Sequence, residues 1–82
     1  MHFVKDRIYA DLSETNPYPK VYFKVIEIDL QKDSVYFEQV GGPQRYIPYD
    51  DGSYVFNYPT IMYELSEEEI QKLQEERIIN LK

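Results

Sequence analysis

Between residues 20 and 40 the chain reads KVYFKVIEIDLQKDSVYFEQV, two apolar-rich runs on either side of a polar turn and the longest strand-like pattern in the sequence. Val21, Phe23 and Val25 share one face and Tyr22 and Lys24 the other, which is the two-residue period of a strand buried on one side. At Val25 and Ile26 the phase slips: Ile26, Ile28 and Leu30 become the apolar set, alternating with Glu27 and Asp29. Register survives such a slip only if one residue is extra, so the pattern predicts a β-bulge there, with a bend and added twist. Leu30 to Ser34 form the turn, and Val35 to Glu38 resume the alternation on the way back.

The flanking segments are shorter and more mixed. Residues 3–10, FVKDRIYA, read as a first strand. Residues 11–19, DLSETNPYP, are a loop, because both prolines fix their own φ and restrict the residue before them. Tyr18 sits between those prolines and is a candidate docking residue. Gly41-Gly42-Pro43 breaks the chain without the GxxxxGK[ST] pattern of a phosphate loop. RYIPYDDGSYVFNY then predicts a second hairpin turning at Asp51-Gly52. With a two-residue loop, Tyr49 opposes Tyr54 and Ile47 opposes Phe56. The core face would then carry Ile47, Tyr49, Tyr54, Phe56 and Tyr58, with Tyr46, Pro48, Val55 and Asn57 behind it. Pro48 cannot donate to a ladder, which places its strand at an edge. Residues 61–63 are a last strand or a single turn.

The clearest local signal is Ser66-Glu67-Glu68-Glu69. Ser66 can accept the Glu69 amide while Glu69 reaches back, a capping box with its acids at the positive end of the helix. Ile70, Leu73 and Arg77 or Ile78 follow at helical spacing, so a helix is expected over 66–78, packed on the β structure and closing an open end. Ile78, Ile79 and Leu81 either extend it or add a final β segment. The succession of bent strand, polar turn, returning strand and Asp-Gly hairpin resembles the general plan of small SH3-like or OB-like barrels over residues 3–63. That implies a mainly β fold: a curled antiparallel sheet or barrel of about five strands with one C-terminal helix.

Eighty-two residues make a single domain, 1–82, with room for one modest core. No apolar run approaches the roughly 18 residues of a membrane span. The N-terminus lacks a long apolar stretch, which with the absence of cysteine leads us to expect a cytoplasmic protein. Cysteine chemistry is excluded outright, and the only histidine, His2, lies at the terminus, so we expect neither a metal nor a cofactor. The acid pairs Asp50-Asp51 and Asp29 with Asp33 belong to turns and Glu67 to Glu69 to the helix cap, and none has EF-hand spacing. Enzymatic activity is not expected.

Charge and tyrosine content remain. The net charge of -6 opposes a phosphate backbone, where affinity comes from Lys and Arg releasing counterions, and favours a basic partner. Nine tyrosines without a tryptophan suit a contact surface, since tyrosine offers wide amphipathic area at low entropic cost. By strand phase, Tyr22, Tyr36 and Tyr46 lie opposite the core and would align as an aromatic stripe flanked by Lys24, Glu38 and Val55. The expected contact residues are therefore Tyr18, Tyr22, Tyr36 and Tyr46 with Glu68, Glu75 and Glu76 of the helix. The function expected is a monomeric or small homo-oligomeric interaction protein that occludes a basic site on a partner protein, as an inhibitor or adaptor of phage or mobile-element type. The alternatives are a single-stranded nucleic-acid binder stacking bases on those tyrosines and a small-molecule or nucleotide sponge.

Overall fold

The computed structural model describes residues 3–11, 20–44, 47–55 and 62–81. Their strands are β1 (Ile8–Asp11), β2 (Tyr22–Asp29), β3 (Ser34–Gly41), β4 (Tyr54–Val55) and β5 (Met62–Glu64), followed by helix α1 (Glu67–Glu75). They form one antiparallel sheet in the order β4-β3-β2-β1-β5. The sheet is open, with β4 and β5 as its edges. The barrel expectation is thus corrected to an open sheet covered by a helix, and the mainly β class with one C-terminal helix stands.

The central hairpin follows its sequence pattern closely. Val25 pairs with Phe37 and Glu27 with Tyr36, leaving Ile26 as the extra residue of the bulge. After it, Ile28 returns to the face of Val21, Phe23 and Val25 and packs against their cluster. Leu30, by contrast, is 87% exposed at the turn. The turn is closed by Asp29, whose Oδ1 accepts from the amides of Gln31 at 3.0 Å and Lys32 at 3.1 Å.

Both faces of the sheet bury apolar side chains, and all four residues of β1 are buried. On one face Tyr9, Val21, Phe23, Val25, Phe37, Tyr54 and Met62 cluster with Phe3. The rings meet edge to face, Phe3 with Tyr9 at 5.0 Å and Phe23 with Tyr54 at 5.3 Å between centroids, the arrangement their quadrupoles favour. On the other face Ile8, Ala10, Val40, Leu65 and Ile79 are covered by Ile70 and Leu73 of α1. The helix therefore lies on a sheet face rather than plugging a barrel end. Arg7 on the approach to β1 adds a tie at the helix start, with Nη1 3.0 Å from Glu67 Oε1.

Helix α1 begins as the sequence predicts. Ser66 is the N-cap, its hydroxyl accepting from Glu69 N while Glu69 Oε1 accepts from Ser66 N. It ends a few residues before 78: Arg77 takes a left-handed φ of 60°, and Ile78 N donates to Leu73 O at 2.9 Å, closing a Schellman turn. The tail then adds a β-bridge from Ile79 to Gly41, and Asn80 N donates to Val40 O at 2.8 Å. A Cβ on Gly41 would lie 2.8 Å from Ile79 Cγ2 and still closer to the Ile78 carbonyl oxygen, so the tail crosses there only because residue 41 has no side chain.

The second hairpin departs from expectation. Tyr49 N donates to Ser53 O and Gly52 N to Tyr49 O, each at 2.8 Å, so the loop is Asp50-Asp51-Gly52, one residue longer than a two-residue turn. Gly52 has φ 86°, as the glycine of a three-residue loop with a G1 bulge requires. Asp51 Oδ1 fixes this geometry by accepting from Ser53 N at 2.9 Å and Ser53 Oγ at 2.6 Å. An offset of one residue turns a strand over. Tyr54 remains in the core, but Ile47 is 96% exposed and Tyr49 57% exposed, against the expectation that both are buried. Residues 47–49 form no strand, and Phe56 and Tyr58 lie outside the described residues.

Candidate functional site

The helix-bearing face of the sheet has two parts. Toward one end the cross-strand pairs are Lys24 with Glu38 and Glu27 with Tyr36, and Tyr36 in turn opposes Val55. Toward the other end Tyr22 opposes Ala10, and Ala10 opposes Tyr63. Helix α1 comes down beside this second part and leaves a groove of about 290 Å³ lined by Tyr22, Tyr63, Glu69, Lys72, Leu73 and Glu76.

Its floor and walls follow from simple periodicities. Tyr22 and Tyr63 flank Ala10 on the same face of three neighbouring strands, and the methyl of Ala10 leaves space between the rings. Glu69, Leu73 and Glu76 recur at steps of four and three, a single helical stripe. The Lys20 ammonium stands over the Tyr63 ring, 5.2 Å from its centroid, and donates to the Tyr63 hydroxyl at 3.4 Å. Burial raises the Tyr22 phenol above its ordinary value, with Tyr63, Glu69 and Glu76 pushing the same way and Lys20 opposing. The Glu69 carboxyl is held low, first by the backbone N–H of Ser66 and also by Lys20 and the Tyr63 hydroxyl.

Of the residues singled out from sequence, Tyr22 and Glu76 meet in this groove. Tyr36 occupies the far part of the same face, opposite Glu27. The expected alignment of Tyr22 with Tyr36 is not found, because Tyr22 pairs with Gly41 and the Lys24–Glu38 pair intervenes. Glu68 and Glu75 are exposed on α1, and Tyr18 and Tyr46 lie outside the described residues. Tyr63, Glu69 and Leu73 were not foreseen as groove residues; the helical stripe 69-73-76 is the signal that marks the latter two.

Among the described residues no group of three or more His, Asp or Glu side chains is gathered as a metal site, and no helix is long and apolar enough to cross a membrane. No family model, no curated protein and no solved structure matches the chain.

Proposed function

We propose that this protein is a non-catalytic interaction module that occupies a basic surface on a partner protein. The observation that carries the reading is the tip of the second hairpin. There Ile47 and Tyr49 stand exposed beside Asp50 and Asp51. Single exposed apolar residues are ordinary. An aliphatic and an aromatic side chain presented together on a hydrogen-bonded turn, with carboxylates adjoining, match an anchor that inserts while its acidic rim pairs with cations. Glu67 to Glu69 and Glu75 of α1, with Glu76 at its C-cap, carry the same sign of charge. Stacking of a single-stranded nucleic acid has less support. Tyr22 is flanked by Glu69 and Glu76 and Tyr36 by Glu27, carboxylates that repel phosphates.

The test is affinity capture from a nuclease-treated extract of the source cell, using the full chain and an Ile47→Ser/Tyr49→Ser double variant. A basic protein should be retained by the full chain, be released as salt rises, and be held at least tenfold less by the variant. The variant's own melting should stay within about 0.5 kcal/mol of the parent. Equal retention by both proteins, or retention seen only from an extract left untreated with nuclease, refutes the proposal.

A further inference from the structure

We infer that the groove between Tyr22, Tyr63 and helix α1 is a receptor for one cationic side chain, an arginine or lysine projecting from the basic partner. This rests on, and deepens, the reading above.

The groove already displays the interaction it would make. Lys20 places its ammonium on the Tyr63 ring and against the Tyr63 hydroxyl, so the ring face is shown holding a primary ammonium from within the chain. The aromatic face attracts a cation through its quadrupole, and the attraction grows as the cation is desolvated. Two carboxylates, Glu69 and Glu76, line the same space, and Lys72 offsets one of them. With Lys20 in place these charges balance; once its ammonium leaves the Tyr63 ring, one negative charge and both phenol rings are left to receive an incoming cation. Leu73 supplies an apolar surface for the methylenes that precede a guanidinium or an ammonium.

Size admits the occupant. At about 290 Å³ the groove has room for a long side chain. Charge restricts it, since a phosphate would meet Glu69 and Glu76. Lys20 is exposed and held by Tyr63 and by the charge of Glu69, the groups an incoming cation would use, so it acts as an internal competitor that the partner's cation displaces.

The experiment is an NMR titration of the full-length protein with N-acetyl-arginine amide, N-acetyl-lysine amide, the uncharged isostere N-acetyl-citrulline amide, and inorganic phosphate. The cationic compounds should shift Tyr63, Leu73 and Glu76 resonances and saturate in roughly the millimolar range, and the citrulline compound should not. Tyr63→Leu should weaken binding by about two- to fivefold, the size of one exposed cation–π contact, and Glu76→Gln, a change at an exposed position, by up to about fivefold, the size of one exposed ion pair. Lys20→Ala should tighten it. Equal response to citrulline, a stronger response to phosphate, shifts confined to other surfaces, or weaker binding in Lys20→Ala each overturn the inference. Its failure is separable from that of the functional proposal. If the hairpin-tip variant still abolishes partner capture while the groove ignores cations, only the groove assignment falls. If the groove binds arginine amide and no basic protein is captured, only the partner proposal falls.

Discussion

Replacing Gly41 with alanine tests how the C-terminal tail is held. The backbone at Gly41 admits an ordinary residue, since its φ is not left-handed, so any cost must come from what a Cβ meets. That atom would lie within 2.8 Å of Ile79 Cγ2 and 3.1 Å of Ile79 Cα, and closer still to the Ile78 carbonyl oxygen. Two of these three are backbone atoms, so no rotamer change relieves the overlap and the tail must move away. Moving it breaks the Asn80 N to Val40 O bond, worth about 1 kcal/mol. It also unseats Ile79, which is 3% exposed and whose burial contributes about 1.5 to 3 kcal/mol. Against this, alanine restricts the unfolded chain more than glycine and returns about 0.4 to 1 kcal/mol. The expected net loss is about 2 to 3 kcal/mol, or a melting temperature lower by roughly 8 to 24 °C for a domain of this size. Thermal melts followed by circular dichroism measure it. A chain truncated after Arg77 supplies the control: without the tail, Gly41→Ala should be neutral or slightly stabilising, and the difference between backgrounds is the coupling. A full-length loss within about 0.5 kcal/mol, or the same loss with and without the tail, refutes this account of why residue 41 is glycine.

Three further outcomes are expected. Ser66→Ala removes the acceptor of the Glu69 amide and should cost about 0.5 to 2 kcal/mol in urea denaturation; no loss would mean that the helix does not depend on this cap. Because Glu69 is held below its ordinary value when folded, its share of stability is present above the normal carboxylate range and lost as pH falls through its lowered pKa, and Glu69→Gln should flatten that acid limb. At the alkaline end burial raises Tyr9 and Tyr22, so their contribution persists below the ordinary phenol value of about 10 and is lost as pH rises through the raised ones. Phenolate absorbance should therefore develop in steps, with Tyr9→Phe deleting part of the late one. A single step for all tyrosines would contradict the burial of these rings.

What the sequence determined by itself is the set of features whose causes lie within a few residues. The phase slip at Val25 and Ile26 keeps its register in a continuing strand through an extra residue, and the bulge is found there. Ser66 and Glu69 close their box through bonds three residues apart, independent of anything the helix touches. The Asp51-Gly52 turn was legible as a turn but not in its length. The Asp51 bonds to Ser53 that select a three-residue loop are matters of geometry, and that one residue decides that Ile47 and Tyr49 face outward. Only the tertiary structure decided the rest. Alternation shows which residues share a strand face, but it cannot say what will cover that face, because coverage depends on segments far away in the chain. β1 is buried on one face because Tyr9 joins Phe23, Phe37 and Met62, and on the other because Leu65 and Ile79, more than fifty residues later, pack on Ile8 and Ala10. Once α1 lies on that face, Tyr22 ceases to be part of an open stripe and becomes the wall of a groove whose other wall, Tyr63, comes from β5. A site assembled from three strands and a helix has no contiguous signature, because the distances that define it exist only after the chain has closed on itself.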